Sequence, residues 1–249
     1  MLKSERHQQI LSILQNKHRS SVNELSKLLY VSPSSIRRTL TKMENLRLVK
    51  RSYGEVEICE NNALVIPLNL RMSKDAIQKK QLAKKAASLI EDGSVVFLDH
   101  SSTCTYLAYE ITQKKGITVI TNNIDIVMYL KDFEINLICS GGIVCTKDVD
   151  ALVGIDAERI FENTHADFVF FSSHALSSDG TIYDCVYETV ALRHKMLANA
   201  QKKVYLCTEN KIDISSTYKQ CTLEDIDYLV CESDKAKKFS DLFENLTVL

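Results

Sequence analysis

Over roughly the first sixty residues the apolar positions recur at helical spacing, and beyond them they gather into short runs separated by polar turns. Ile10, Leu11, Ile13 and Leu14 form one stripe and predict a helix from about Ser4 to Asn16. Ser21 can cap a second helix, with Glu24 as its capping-box partner and Val22, Leu25, Leu28 and Leu29 as its buried side. Tyr30-Val31 reads as a turn, and Ser32-Pro33 supplies an N-cap followed by proline at the first helical position. The third helix, Pro33 to about Leu46, places Ile36, Leu40 and Met43 inward. It shows Ser34, Ser35, Arg37, Arg38, Thr41 and Lys42 outward. From Leu48 to Ile58 apolar and polar residues alternate around Gly54, the pattern of a two-stranded hairpin.

Cys59 to Leu70 has no period, contains Pro67 and reads as a linker, after which a helix fits Ser73 to Ile90 and stops at Asp92-Gly93. The lysines between Lys79 and Lys85 read as its solvated flank. Val95–Leu98, Thr118–Ile120, Asn136–Cys139, Phe168–Phe171, Val204–Cys207 and Tyr228–Val230 read as strands. Leu107–Thr112, Ile124–Leu130, Asp156–Phe161 and Val186–Ala200 read as helices between them. Buried strands alternating with helices predict an α/β domain with a largely parallel sheet. The expected division is 1–58, a small helical domain with a hairpin; 59–72, a linker; and 73–249, the α/β domain.

Composition narrows the class. A chain of 249 residues with 45% apolar and 25% charged residues is ordinary for a globular protein of one or two domains. Seven glycines and two prolines exclude collagen-like and low-complexity chains. No apolar run approaches the ~20 residues of a membrane span, and the polar start lacks a secretory pattern, so a cytoplasmic protein without a membrane partner is expected. The eight cysteines form no C-x-x-C pair and have no histidine at finger spacing. They read as reduced, small apolar side chains, and neither a metal nor a cofactor is implied. Charge is divided unequally: Met1–Ile58 holds eleven cations against five anions, and the remainder 20 against 27. A small basic module ahead of an acidic one suits a polyanion reader attached to a second function.

Three short helices with a basic, hydroxyl-rich third helix and a basic hairpin describe a winged helix-turn-helix for double-stranded DNA. Arg37 and Arg38 can each donate two hydrogen bonds to guanine, and Ser34, Ser35 and Thr41 can serve several bases. Ser32, Lys42, Lys50 and Arg51 suit phosphates, which fix register without reading sequence, and Tyr53 in the hairpin turn is a further candidate for DNA contact. In a parallel sheet small ligands bind beyond the carboxyl ends of the strands. Three loops fall there: Asp99-His100-Ser101-Ser102-Thr103, Thr121-Asn122-Asn123 and Ser140-Gly141-Gly142. Hydroxyls, a helix N-terminus and glycines that admit an anion to the backbone suit a phosphate or polyol.

Arg6, Ile10-Leu11, Val22-Asn-Glu-Leu25, Val31-Ser-Pro-Ser-Ser-Ile-Arg-Arg-Thr-Leu40, Glu44 and Val49-Lys-Arg-Ser-Tyr-Gly54 resemble the amino-terminal signature of the DeoR family of bacterial transcriptional regulators. Ser35, Thr39, Tyr53 and Glu55 replace the family's usual Thr, Asp, His and second Gly. The acidic half is similar to the family's sensor domain, related in fold to ribose-5-phosphate isomerase and coenzyme A transferases. The matching stations are Asp99, Ser102-Thr103, Thr121-Asn122, Gly141-Gly142, Gly154, Asp179-Gly180, Glu188, Lys195 and Lys211. Ser101 stands where that family has Gly, and Thr208 where it has Asp. The resemblance implies a homo-oligomeric DNA-binding regulator, in first place a repressor of a carbohydrate operon. Its effector would be a phosphorylated sugar held by Asp99, Ser101–Thr103, Thr121, Asn122, Gly141, Gly142, Glu188, Lys195 and Lys211. Two alternatives stay open: an isomerase-like enzyme with Glu188 as base and Lys195 or Lys211 as electrostatic partner, and a DNA-binding protein without an effector.

Overall fold

The computed structural model describes residues 3–45, 48–52, 54–58, 68–148 and 150–249. The chain divides into two compact units, Met1–Lys74 and Asp75–Leu249.

The first unit runs α1 (Lys3–Lys17), β1 (Arg19–Ser21), α2 (Val22–Leu29), α3 (Pro33–Asn45), β2 (Val49–Ser52), β3 (Glu55–Ile58) and α4 (Leu68–Ser73). The predicted stripes meet: Ile10 and Leu14, Leu25, and Ile36, Leu40 and Met43 are buried together with Val49 and Val56 of the hairpin. Each such burial is worth about 1.5–3 kcal/mol. The hairpin gains an unforeseen third strand, because β1 pairs with β3 in the order β1-β3-β2. Ser21 caps α2 by accepting the Glu24 N–H at 3.1 Å. The capping box stays half closed, since the Glu24 carboxylate is taken by Lys17 and the Ser20 hydroxyl. Leu28, expected inside, is 46% exposed. Residues 59–67 of the expected linker lie outside the described residues. The rest of that linker is not irregular: Leu68–Ser73 is helical, with Leu70 inside the first unit's core. One turn is too short to display a helical period.

The second unit runs α5 (Ala76–Ala87), β4 (Val95–Leu98), α6 (Ser102–Glu110), β5 (Thr118–Thr121), α7 (Ile124–Leu130), β6 (Asn136–Cys139), β7 (Ile143–Val144), β8 (Leu152–Val153), α8 (Ile155–Glu162) and β9 (Ala166–Phe171). It continues with β10 (Ala175–Leu176), β11 (Thr181–Asp184), α9 (Tyr187–Ala198), β12 (Ala200–Leu206), β13 (Tyr218–Thr222), β14 (Tyr228–Val230), α10 (Lys237–Leu242) and β15 (Thr247–Val248). The helix expected over Ser73–Ile90 is interrupted at Asp75, whose left-handed φ of 55° breaks the run. Its last turn tightens to i−3 bonds from Ser88, Leu89 and Ile90. Lys80, Lys84 and Lys85 form an exposed flank there, whereas Lys79 is buried.

Seven parallel strands form one sheet in the order β15-β14-β12-β9-β4-β5-β6. Successive side chains enter opposite layers: Phe97, Val169, Phe171 and Tyr205 pack on one face, and Val96, Leu98, Phe170 and Val204 on the other. Burial on both faces is why these strands read as continuous apolar runs. Two smaller antiparallel pieces were not legible: the sheet β10-β11-β13 and the ribbon β7-β8. From β4 the chain steps outward through β5 and β6, then returns to the other side of β4 as β9 and continues to β15. The topological switch point therefore lies between β4 and β9.

Candidate DNA-reading face and effector crevice

In the first unit α3 presents one exposed face. Ser34, Arg37, Arg38, Thr41 and Lys42 are exposed on it, while Ile36, Leu40 and Met43 anchor the opposite side. The turn that aims α3 is fixed by Tyr30 in the left-handed region and by the Ser26 hydroxyl donating to the Val31 carbonyl at 2.6 Å. Ser32 is exposed and its hydroxyl lies 3.1 Å from that of Ser34. Four candidates are committed within the unit. Ser35 accepts from the Arg6 guanidinium at 2.9 Å. Arg51 grips Glu44 at 2.7 Å and donates to the Thr41 hydroxyl at 2.8 Å. Lys50 pairs with Glu57 at 2.8 Å, and the same carboxylate takes Arg19 at 2.9 Å. Tyr53 lies outside the described residues. The free cationic surface is thus narrower than the sequence reading made it and centres on Arg37, Arg38 and Lys42.

In the second unit the loops after β4, β5, β6, β9 and β12 all emerge at the carboxyl edge of the sheet. Asp99, just past β4, is 1% exposed and both its oxygens are occupied. Oδ1 accepts the Ser101 N–H at 2.9 Å, and Oδ2 accepts the Ser172 N–H at 3.3 Å and the Arg193 guanidinium at 3.0 Å. Arg193, also 1% exposed, reaches Asp184 at 3.0 Å and the Gln220 side-chain oxygen at 2.9 Å. Burial alone would push both carboxyls up. The guanidinium, with His100 beside it, outweighs that and holds Asp99 and Asp184 below the usual carboxylate value, while Arg193 is raised against burial by the two acids. Asp99 therefore ties the switch-point loops together, with both its oxygens engaged within the protein.

Above this floor α6 starts at Ser102, earlier than expected, because Ser101 caps it by accepting the Cys104 N–H at 3.1 Å. This puts the N-terminus of α6 at the carboxyl edge of the sheet. Thr103 Oγ1 is buried with no hydrogen-bond partner among the described residues, and so is Asn122 Oδ1. The Asn122 amide instead donates to the Leu152 carbonyl at 3.0 Å, tying the loop after β5 to the ribbon. Thr121 is structural: its hydroxyl donates to Leu98 O at 2.7 Å and accepts the Asn123 N–H at 3.1 Å. Gly141 and Gly142 both have positive φ, 68° and 95°. A Cβ at Gly142 would meet Val153 O at 2.6 Å, whereas one at Gly141 would meet open space. Lys211 donates to the Ser172 hydroxyl at 2.7 Å, which brings it to the mouth of the switch point.

Of two further expected residues, one stays at the rim beside the segment that carries Asp148 and the other lies elsewhere. Glu188 opens α9 at the surface and pairs with Lys147 at 3.3 Å. Lys195 pairs with Glu162 at 2.6 Å. Since Glu162 ends α8 four residues before β9 begins, Lys195 belongs to the amino edge of the sheet, opposite the crevice. Conversely, Arg193, Asp184, Gln220 and Ser172 were missed. So was the partner of His100, which is Asp148 at 3.5 Å, both side chains being buried. Asp179-Gly180 makes the β10–β11 turn, with Asp179 accepting the Thr181 N–H at 3.0 Å.

A winged helix-turn-helix with a basic reading face, followed by a parallel α/β unit with a polar crevice at its switch point, defines a DNA-binding transcriptional regulator with a sensor domain. Residues 6–62 match the DeoR-like helix-turn-helix domain and residues 74–233 the DeoR C-terminal sensor domain. The chain belongs to the DeoR family. It is 33% identical to the HTH-type transcriptional regulator GolR of Listeria innocua, over 97% of this chain and 96% of that one. It is 26% identical to the L-fucose operon activator of Haemophilus influenzae, over 98% and 99%. With the glycerol-3-phosphate regulon repressor of Escherichia coli it shares 24% identity over 85% and 83%. Among solved structures, ribose 5-phosphate isomerase A of Methanocaldococcus jannaschii overlaps 55% of each chain at 17% identity and a TM-score of 0.42.

Proposed function

We propose that this regulator controls a carbohydrate operon by holding a phosphorylated polyol in the crevice between β4 and β9, and that ligand binding changes its operator affinity. The observation that carries the effector is the pair of buried, unpartnered atoms Thr103 Oγ1 and Asn122 Oδ1. A buried polar atom without a partner costs about 1–3 kcal/mol, and a ligand hydroxyl would relieve it. The α6 N-terminus, the open backbone at Gly141 and the Lys211 ammonium suit a phosphate on the same ligand. A glycerol-3-phosphate regulon repressor and an L-fucose operon activator among the relatives support the carbohydrate-operon part of this reading.

On DNA, Arg37 and Arg38 would read bases from the major groove, with Ser34 beside them and Lys42 and Ser32 on phosphates. A single module makes few contacts, so a homo-oligomer on paired half-sites is proposed. No helix among the described residues is long and apolar enough to cross a membrane, and a cytoplasmic site of action follows from the work of an operator-binding protein. Turnover is not proposed, because Lys195 is held by Glu162 at the opposite edge of the sheet and Glu188 is spent on an exposed pair with Lys147.

A mobility-shift assay on the DNA upstream of this protein's own gene, at fixed salt, tests the reading with a panel of pentose, hexose and triose phosphates. One compound that moves the binding midpoint at least tenfold supports it. Tight binding indifferent to the whole panel overturns the effector half, and saturable isomerisation of any panel member would restore the enzyme reading.

A further inference from the structure

β12 and β14 lie side by side in parallel, with Val204 opposite Tyr228, Tyr205 opposite Leu229 and Leu206 opposite Val230. The next residue on each strand is a cysteine, and the register continues, for the Cys207 N–H donates to the Val230 carbonyl at 3.0 Å. Alternation along the strands sends Cys207 and Cys231 to the same face, that of Tyr205 and Leu229, and both belong to that face's core. Neighbouring strands are spaced about 4.8 Å apart, inside the span of roughly 4.4–6.8 Å between Cα atoms that a disulfide bridges. Both thiols are free.

We propose that Cys207 and Cys231 are a reversible disulfide site, oxidised by peroxide, at the carboxyl edge of the sensor sheet. The two thiols are unequal. Contact with the Cys207 thiol holds Cys231 below the ordinary thiol range despite burial, and contact with Cys231, then burial, push Cys207 well above it. Both are buried, Cys207 fully and Cys231 to all but 5%, so the more acidic thiol is also the less enclosed one. The Cys231 thiolate attacks one peroxide oxygen, the O–O bond breaks, and hydroxide leaves behind a sulfenic acid. The Cys207 thiol then attacks that sulfur; the S–S bond forms, the S–O bond breaks, and the departing oxygen leaves as water. The proton Cys231 gave up neutralises the first hydroxide and the Cys207 proton leaves with the sulfenic oxygen, so two thiols lose two electrons and one peroxide becomes two waters.

The bond would close at a functional position. Cys207 precedes the Thr208–Lys211 turn, whose Lys211 ammonium bonds Ser172, while Ser172 in turn donates to the Leu206 carbonyl at 2.6 Å. Joining β12 to β14 there draws on the segment that carries Lys211.

The full-length chain, reduced and freed of reductant, is treated with hydrogen peroxide, unfolded in an alkylating agent and digested so that cleavage after Glu224 separates Cys231 from Cys221. The expected product is a linked peptide pair containing Cys207 and Cys231, lacking two hydrogens and released by dithiothreitol. Cys207→Ser should leave Cys231 trapped as a sulfenic acid by dimedone, while Cys231→Ser should leave Cys207 alkylated. Recovery of both residues as alkylated thiols after peroxide overturns the proposal, as does linkage of either one to Cys104, Cys145 or Cys221. This readout involves no effector, so it stands or falls apart from the proposed phosphate ligand.

Discussion

Arg193 sits on the apolar stripe of α9, among Thr189, Val190, Met196 and Leu197, and shares one guanidinium between Asp99 and Asp184. Removing it leaves two buried carboxylates without a counter-charge, so Arg193→Met should destabilise the sensor unit by about 3–5 kcal/mol at pH 7 in urea unfolding. The pH dependence should also reverse. In the native protein Asp99 and Asp184 titrate below their ordinary 3.8, so their contribution is present above about pH 4 and is lost as the pH falls through the lower folded values. In the variant burial raises both, and stability should increase on mild acidification; an unchanged pH profile would show that the triad does not hold this floor. Thr103 calls for the opposite result. Its hydroxyl has no partner among the described residues, so Thr103→Val should leave the melting temperature equal or higher while weakening the effector response about tenfold, one hydrogen bond's worth. For DNA, Arg37→Ala and Arg38→Ala should each cost roughly 1–3 kcal/mol at the operator and relax base discrimination, whereas Lys42→Ala should weaken all sequences alike and reduce the salt slope by about one. These residues were unequally legible. Arg37 and Arg38 announce themselves by lying opposite Ile36 and Leu40. Arg193 had a signal too, a charge on an apolar stripe, but its two acids stand ninety-four and nine residues away, and no local pattern points to them.

At the scale of elements, the central parallel strands β4, β5 and β9 were readable because burial on both faces leaves them apolar, and α1–α3 because one buried face repeats at helical spacing, whereas the two-residue edge strand β15 was not read. Nor were the ribbon β7-β8 and the sheet β10-β11-β13. β7, β8 and β10 are two residues each, too short to show a period, while β11 and β13 mix Thr, Asp, Lys and Gln with apolar residues and meet across more than thirty intervening residues. The ribbon nevertheless bounds the crevice, joined to the rest of the unit by Gly141-Gly142 at one end and Gly154 at the other, all with positive φ. The two leading glycines are not equivalent. Gly141→Ala meets only backbone strain, about 1 kcal/mol. Gly142→Ala adds a collision with Val153 O at 2.6 Å and with the Ala157 Cβ at 2.8 Å, and must displace either the ribbon or the start of α8. Thermal melts of the two variants should therefore separate by several degrees, with Gly142→Ala lower. Equal melting would mean that the ribbon yields freely and does not set the crevice wall.

At the scale of the whole molecule, the two cores share no residue: Ile10 to Leu70 build one, and Leu82 to Leu246 line both faces of the other sheet. A fragment from Asp75 to Leu249 should therefore fold with a single cooperative transition, bind the effector found by the shift assay and ignore the operator. Its effector affinity then becomes a reference. If the effector changes operator affinity by some factor, the operator must change effector affinity by that same factor, because the coupling is one free energy seen from two sites. Titrating effector into full-length protein with and without saturating operator should give a ratio of dissociation constants equal to the shift in operator midpoint, about tenfold for each 1.4 kcal/mol of coupling. The fragment should match the full-length protein without DNA. A ratio near one, alongside an effector that does move the operator midpoint, would show that the binding event titrated is not the one that moves the operator, and would overturn the coupling proposed for the sensor unit.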